Sequence, residues 1–399
     1  MMSDFRSWLS DKVSDSWLVY IKRLSANDTG ATGGHQVGVY IPKEVMNTLF
    51  PSIDRTDIEN PDYELTAKMM SHSFPEQRVR AIYYNGKFFG KTRNEKRITR
   101  WGGKKSPLQD VENTGSLAIF SFRKDSHDCD LTEVWVCRSV EDEEELESMI
   151  GEVLPGYTLF GPGSSILGGF AVSYDWKSGE YPIPPEWHVS FPSGAQIIDY
   201  LPNIFRLTVA GADKQLLERR NAEYSLFRKV EEIHVLDKIR EGFDSVDDFI
   251  SLANSVSNRR KSRSGRSLEI HLENIFTEEG LVTFDTQSVT ENNKKPDFLF
   301  PSGEAYHNLS YPAEKLRMLA VKTTCKDRWR QVLNEANRID NIHLFTLQEG
   351  VSLNQFGEMT AAGVQLIVPE PLHKCYPKDI RDELMSLNDF IQETKELYC

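Results

Sequence analysis

The run Lys295-Pro296-Asp297-Phe298-Leu299-Phe300 and the run Leu319-Ala320-Val321-Lys322-Thr323-Thr324-Cys325-Lys326-Asp327-Arg328-Trp329-Arg330-Gln331 decide the fold of the second half of the chain. The first run places Asp297 directly before a short apolar strand, Phe298–Phe300. The second overlaps an apolar strand, Leu316–Thr323, and leads into a predicted helix from about Asp327 to Ile339. Strands with an intervening helix indicate an α/β domain with a central mixed sheet.

Asp297, Lys322 and Glu335 together have the chemistry that phosphodiester cleavage requires. A divalent metal neutralises charge on the scissile phosphate and lowers the pKa of an attacking water. Mg²⁺ takes one or two carboxylates, and a lysine beside the metal stabilises the developing charge. On the predicted helix, Glu335 shares one face with Arg328 and Gln331. Spacing alone, however, favours an ordinary solvent-exposed glutamate at position 335.

The rest of the chain divides into a β-rich half and a half with helical periodicity. Gly- and Pro-rich sequence near residues 173–186 predicts a linker between a domain 1–172 and a domain 187–399. Ser245 and Asp248 indicate the start of a helix. The predicted helices are Leu216–Arg240, Val246–Val256 and Ser267–Phe276, and two more strands, His343–Leu347 and Val364–Val368, follow. The predicted N-terminal strands are Trp17–Ile21, Val37–Ile41, Arg80–Tyr84, Ser116–Phe122 and Glu133–Cys137.

The charge of the chain is unevenly distributed. The net charge is −13, yet basic residues concentrate in the segments 91–105 and 259–266. Two basic segments on an acidic protein suit phosphate binding at chosen places, although two solvated basic loops explain the charge equally well. The five cysteines have no zinc-binding spacing and are expected to be free thiols. No stretch is long and apolar enough for a membrane span, and the N-terminus is unlike a signal peptide, so we expect a cytoplasmic protein.

The two opening runs resemble the EcoRII group of type IIE restriction endonucleases. The resemblance extends to the runs Tyr20–Gly30 and Gly90–Arg97 and covers most of the chain. It implies an N-terminal B3-like DNA-binding pseudobarrel and a C-terminal restriction-endonuclease-like (PD-(D/E)xK) fold. The acid usually found two residues before the lysine is absent, because position 320 is alanine. The resemblance assigns its place to Glu335, so that Asp297 and Glu335 bind Mg²⁺, Lys322 positions the water, and Glu269 is a further active-site acid.

The same resemblance implies roles in DNA recognition. Lys326, Asp327 and Arg328 would read the C:G pairs of 5′-CCWGG, since Lys and Arg can pair with guanine and Asp can accept from cytosine. Without the resemblance, a helix cap with two phosphate contacts is favoured. Arg220 and Tyr224, one helical turn apart, would hold flipped central bases, although Tyr224 is equally consistent with a half-buried core position. The residues that would bind effector DNA in the N-terminal domain are His35, Tyr40, Lys91, Arg93, Glu95, Lys96 and Arg97.

The expected function is therefore Mg²⁺-dependent double-strand cleavage of DNA ahead of the first cytosine of 5′-CCWGG. We expect a homodimer, paired with a DNA cytosine methyltransferase, whose N-terminal domain binds a second site as allosteric effector and inhibits the nuclease until then. Two alternatives stay open. A DNA-binding repressor would keep both basic segments without needing the catalytic set, and a repair nuclease would recognise DNA structure instead of sequence.

Overall fold

The structure is a computed structural model that describes residues 5–32, 38–125, 127–167 and 182–398. The chain forms two compact units. The first contains the chain up to Val172 together with Glu349–Phe356 and Lys374–Arg381, and the second contains the remainder. The helices are α1 Phe5–Asp11, α2 Lys43–Leu49, α3 Val140–Ile150, α4 Gly163–Ile166, α5 Glu186–Val189, α6 Gly194–Ile204, α7 Ala212–Glu241, α8 Val246–Glu278, α9 Gly303–His307, α10 Leu353–Ala361 and α11 Leu387–Tyr398.

The first unit is built on an eight-stranded sheet, which agrees with the β-rich sequence. Its strand order is β2-β5-β4-β3-β7-β6-β1-β8, and only the β3–β7 pair is parallel. The sheet curls around one apolar core, to which alternate residues such as Leu18 and Tyr20 of β1 contribute. The strands are β1 Trp17–Arg23, β2 Val39–Tyr40, β3 Asp62–Met69, β4 Gln77–Tyr84, β5 Glu95–Thr99, β6 Leu117–Arg123, β7 Leu131–Val136 and β8 Leu159–Pro162.

The second unit has the expected mixed sheet, in the order β13-β12-β11-β10-β9. Strand β10 pairs antiparallel with β9 and β11, whereas β11, β12 and β13 run parallel. Phe276 of α8 contacts Phe298 and Phe300 edge-on and closes one face of the sheet. The strands are β9 Asp285–Thr286, β10 Phe298–Phe300, β11 Arg317–Lys322, β12 Ile342–Thr346 and β13 Val364–Ile367.

Helix α8 joins two helices that the sequence predicts separately. Ser245 caps it by accepting a hydrogen bond from the amide of Asp248, as predicted. The helix then runs unbroken through the basic segment 259–266, because arginine and lysine are good helix formers and one glycine, Gly265, costs only about 1 kcal/mol. The second basic segment is therefore helical.

The helix predicted from Asp327 to Ile339 is wrong. Only a short 3-10 turn, Trp329–Val332, forms there. Tertiary hydrogen bonds hold the chain beyond it in an irregular path: the Arg338 guanidinium donates to the carbonyls of Asn308 (3.1 Å) and Tyr311 (2.8 Å). Trp329, Val332 and Ala336, which have helical spacing, are nevertheless buried.

Two further expectations concern membranes and cysteines. No helix in the described part of the chain combines the length and apolar character that crossing a membrane requires. Cys129, Cys137, Cys325 and Cys375 are free thiols, as predicted. Burial raises the pKa of Cys129 and of Cys325 to about 12, so neither thiol is a ready nucleophile.

Candidate active site

Asp297 lies immediately before β10 with both carboxylate oxygens engaged. Oδ2 accepts a hydrogen bond from the backbone amide of Val321 at 2.7 Å, and Oδ1 accepts one from Nε2 of Gln287 at 3.0 Å. The residue is 9% exposed. Its carboxylate therefore bridges β11 and the chain that follows β9, and these two contacts fix its direction.

Lys322 is the last residue of β11, and its ammonium approaches the same carboxylate. Nζ lies 3.7 Å from Oδ2 of Asp297. The register explains the approach, because Phe298 faces Leu319 in the antiparallel β10–β11 pair. The residue before β10 and the last residue of β11 consequently lie at the same end of the sheet. The structure thus places Asp297 and Lys322 next to each other.

Glu335 reaches the site from an irregular segment instead of a helix. Its amide donates to the carbonyl of Val332 at 3.1 Å, and its own carbonyl accepts a hydrogen bond from the Thr290 hydroxyl. Burial raises the pKa of its carboxyl group. The Lys322 ammonium opposes this rise and the Asp297 carboxylate adds to it. Glu335 thus lies within electrostatic range of both residues.

Glu269, on α8, belongs to the same electrostatic environment. Burial raises the pKa of its carboxyl, a hydrogen bond from Arg266 opposes the rise, and the charges of Asp297 and Lys322 also act on it. Arg266 Nη1 lies 2.5 Å from its Oε2. The charges of Asp297 and Lys322 therefore act on both Glu269 and Glu335.

The donors at this site fit a hard divalent cation. Oε2 of Glu335 is buried without a hydrogen-bond partner among the described residues. A buried carboxylate oxygen without a partner is costly unless a cation or water satisfies it. Across the described ranges, no group of three or more His, Cys, Asp or Glu side chains is arranged to hold a metal. Mg²⁺ needs only one or two carboxylates, because it retains several waters.

Comparison with known proteins identifies the family. A family model described as EcoRII C terminal matches residues 227–391, and one described as restriction endonuclease EcoRII, N-terminal, matches residues 13–164. The curated protein named Type II restriction enzyme EcoRII, from Escherichia coli, is 55% identical over 401 residues. That match covers 100% of this chain and 99% of the relative. The chain belongs to the EcoRII family of type II restriction endonucleases.

Two solved structures are also similar to part of the chain. One is described as metal-depleted Ecl18kI in complex with uncleaved, modified DNA, with a TM-score of 0.42, 20% identity, and coverage of 53% of this chain and 80% of that one. The other, metal-depleted Ecl18kI in complex with uncleaved DNA, has a TM-score of 0.40, 19% identity and coverage of 54% and 85%. Membership in the EcoRII family rests on the family models and the full-length relative.

The residues expected to read bases in this EcoRII-family chain lie in a turn next to the site. Lys326, Asp327 and Arg328 connect β11 to the 3-10 turn, with the amide of Arg328 donating to the carbonyl of Cys325 at 2.9 Å. Asp327 is exposed, and the other two residues are half-buried. The turn starts four residues after Lys322, so it is close in sequence to the candidate site.

Arg220 and Tyr224 are both buried on α7. Arg220 is 1% exposed and donates to Oγ of Ser267 at 2.7 Å. The guanidinium of Arg263 lies 4.6 Å from the centre of the Tyr224 ring, and Phe227 stacks against the same tyrosine. The structure thus places the two residues side by side, with the tyrosine ring in contact with protein.

The residues expected to bind effector DNA are divided between two sides of β5. Tyr40, Glu95 and Arg97 line a cavity of about 400 Å³ in the first unit, together with Lys22 and Asn27. Burial raises the pKa of Glu95, but hydrogen bonds from Arg97 and Arg93 more than offset this, so the pKa is lowered.

Lys96 points to the other side of the strand, as alternation along a strand requires. Its buried ammonium contacts the exposed carboxylate of Asp54 at 2.8 Å, and burial lowers the pKa of Lys96. Lys91 is exposed and paired with Glu59. His35 lies outside the described residues.

Sequence reasoning missed Gln287 and Thr290, which contact the candidate site residues Asp297 and Glu335. Neither belongs to a motif, and both lie in irregular chain after β9. A polar residue in a loop carries no periodic pattern, so only the three-dimensional contacts identify it.

Proposed function

We propose that this protein is a Mg²⁺-dependent type II restriction endonuclease that cleaves both DNA strands with Asp297, Lys322 and Glu335. The observation that carries the proposal is the electrostatic coupling of these three residues at one end of the mixed sheet. Glu269 joins them from α8. A lysine and several carboxylates that are partly buried and close to one another are typical of a catalytic centre.

Each of these residues has a separate role in the proposed cleavage reaction. Asp297 and Glu335 would hold Mg²⁺, which supplies charge neutralisation at the phosphate and acidifies bound water. Lys322 donates a hydrogen bond from Nζ to the attacking water or to a phosphate oxygen, where negative charge develops. The Val321 amide and Gln287 keep the Asp297 carboxylate in one orientation before DNA binds. Glu269, with its raised pKa, retains a proton to higher pH than an exposed glutamate.

Recognition of 5′-CCWGG is assigned to Lys326, Asp327 and Arg328, with cleavage ahead of the first cytosine. These residue types match the donors and acceptors that C:G pairs present in the major groove. Their turn follows the strand that ends at Lys322, which suits a reader of bases next to the scissile phosphate. Arg220 and Tyr224 would hold the flipped central bases. For a base to stack on Tyr224, Arg263 has to leave the ring face that it now contacts.

The first unit would bind a second DNA site as allosteric effector and inhibit the nuclease until it does. The cavity with Tyr40, Glu95 and Arg97 supports a polar, partly basic binding surface. His35, Lys91 and Arg93 would extend this surface, whereas Lys96, which the family also implies, would support it from inside through its contact with Asp54. If the N-terminal domain inhibits, cutting the chain near residue 180 should raise cleavage of a single-site DNA by the C-terminal piece. Activity no higher than that of the intact protein would contradict inhibition.

The active form would be a cytoplasmic homodimer, functionally paired with a DNA cytosine methyltransferase that protects the host sites. Sedimentation of the pure protein with and without DNA tests the dimer. Methylation of the recognition cytosines should block cleavage, because a methyl group alters the major-groove edge that the turn would read.

Cleavage of plasmid DNA, followed by sequencing of the ends, is the deciding experiment. With Mg²⁺ we expect ends that all begin at 5′-CCWGG with 5′ overhangs, and no cleavage with the D297A variant, which should still bind the site in Ca²⁺. Binding without any cleavage would instead indicate a repressor. Cuts at mismatches or branches, whatever the sequence, would indicate a repair nuclease.

A further inference from the structure

The segment 287–290 contacts the two acids that would bind the metal. Gln287 donates from Nε2 to Oδ1 of Asp297 at 3.0 Å and from its backbone amide to the Asp297 carbonyl at 3.3 Å. Three residues later, the Thr290 hydroxyl donates to the backbone carbonyl of Glu335. One short piece of chain therefore touches both Asp297 and Glu335, which are far apart in sequence.

The backbone of this segment has an unusual conformation at Gln287. Its φ is +53°, in the left-handed region that residues other than glycine, asparagine and aspartate rarely adopt. Such a conformation persists only where surrounding contacts impose it, and it is concentrated at functional sites. Here the imposing contacts are the two hydrogen bonds to Asp297.

The other end of the segment is fixed more rigidly. Thr290 is 6% exposed, and its amide donates to the carbonyl of Lys294 at 2.8 Å. The carbonyl of Val289, one residue earlier, accepts a hydrogen bond from the His307 ring at 2.8 Å. The position of the Glu335 backbone thus depends on a buried hydroxyl whose own backbone is held on both sides.

We propose that Gln287 and Thr290 are positioning residues that set the distance between the Asp297 and Glu335 carboxylates. The inference rests on the proposed metal-dependent cleavage. Gln287 orients the Asp297 carboxylate through Oδ1, and Thr290 holds the segment that carries Glu335. Partners that orient metal-binding side chains typically change metal affinity or activity about 10- to 100-fold when they are removed.

The test compares Q287M and T290V with the unaltered protein in two measurements. The first is Ca²⁺ binding by the protein–DNA complex, measured by titration calorimetry, in which no cleavage occurs. The second is the Mg²⁺ concentration that gives half-maximal cleavage. We expect both variants to bind Ca²⁺ about 10-fold more weakly and to need about 10-fold more Mg²⁺. At saturating Mg²⁺ the cleavage rate of Q287M should approach the unaltered rate.

Matched controls separate positioning from general damage. Gln287 is exposed, so Q287M should fold normally. T290S keeps the hydroxyl and should restore Mg²⁺ dependence. T394V replaces a buried threonine whose hydroxyl has no hydrogen-bond partner in the part of the chain that the structure describes, and Q365M removes a glutamine on β13. Both should leave Ca²⁺ binding unchanged.

The outcomes distinguish this inference from the function on which it rests. If D297A is inactive but Q287M and T290V show the Mg²⁺ and Ca²⁺ dependence of the unaltered protein, the positioning role is overturned. A rate loss in Q287M that is the same at every Mg²⁺ concentration would also overturn it. If D297A still cleaves at the normal rate, the proposed active site itself is wrong.

Discussion

Lys322 Nζ lies 3.7 Å from Asp297 Oδ2, the oxygen that also accepts the Val321 amide. The contact is too long for a strong hydrogen bond. It leaves the ammonium protons available for another acceptor, and Lys322 is only partly exposed. A water or a phosphate oxygen placed beside Asp297 would meet this ammonium, so the side chain is suited to act on substrate.

Replacing Lys322 with alanine should reduce the single-turnover cleavage rate at least about 10²–10³-fold, since a donor aimed at developing charge is worth that much. DNA affinity in Ca²⁺ should change little. K322R should be nearly as defective, because a planar guanidinium does not reproduce a compact ammonium. Quenched-flow cleavage of an oligonucleotide checks this, and a K322A rate within a few-fold of normal would remove lysine from the mechanism.

Glu335 should destabilise the metal-free protein at neutral pH. Because burial raises its pKa, the folded protein holds the proton to higher pH than the unfolded chain does. Stability is therefore lost as the pH rises from the ordinary value of 4.5 through the raised pKa. The glutamine of E335Q does not titrate. Above that pH range the free energy of unfolding of E335Q should therefore be about 0.5–2 kcal/mol larger than that of the unaltered protein. E335Q should cleave no DNA. Urea unfolding at pH 4 and pH 8 measures the difference, which should shrink at the lower pH.

The buried ion pair between Glu223 and Arg263 should contribute strongly to folding of the second unit. Their side chains are 0% and 3% exposed, and Ser267 also donates to Glu223 at 2.9 Å. E223A leaves a buried arginine charge without its carboxylate and should cost about 3–5 kcal/mol. The double variant E223L/R263M should recover most of that loss.

Urea denaturation of the two variants checks the pair. The exposed pair of Asp237 and Arg240 is the control, because D237A should cost less than about 1 kcal/mol. An E223A variant as stable as the unaltered protein would mean that water reaches the Arg263 guanidinium.

Lys96 and Arg97 are neighbours on β5, yet their replacement should have different effects. R97A should weaken binding of effector DNA. The salt slope, meaning the slope of log affinity against log salt concentration, should be smaller by about 1, as expected for the loss of one phosphate contact. K96M should destabilise the first unit by about 1–3 kcal/mol, because it breaks the contact with Asp54, and should leave the salt slope unchanged. Affinity measured at several salt concentrations separates the two. A reduced slope in K96M would show that Lys96 meets DNA after all.

The sequence was sufficient to predict the strand that follows Asp297 and the strand that ends at Lys322. Apolar runs such as Phe298–Phe300 are completely buried in the sheet and are therefore recognisable. It was not sufficient for the segment that carries Glu335. Val332 and Ala336 have helical spacing and are buried. However, Arg338 of this segment donates to the distant carbonyl of Tyr311, and Thr290 donates to the carbonyl of Glu335. These two contacts hold the segment in an irregular path. Such long-range hydrogen bonds have no signature in local periodicity.

The opposite error occurred in α8. The sequence predicts two helices, Val246–Val256 and Ser267–Phe276, on either side of the basic segment 259–266, yet the helix is continuous. Packing of Leu268, Leu272 and Ile275 into the core stabilises its C-terminal half. Local composition predicts the ends of a helix poorly where tertiary packing determines them.

The antiparallel pairing of β10 with β11 has a consequence for how this family can vary in length. Residues added between Pro301 and Leu316 would leave the two ends of the strand pair where they are, but they would displace α9 or the Asn308 and Tyr311 carbonyls that bind Arg338. One residue added inside β11 would turn Lys322 to the opposite face of the sheet, since side chains alternate along a strand. The contacts of the segment that carries Glu335 therefore constrain the length of the connection, and the direction of Lys322 constrains the count of residues within β11.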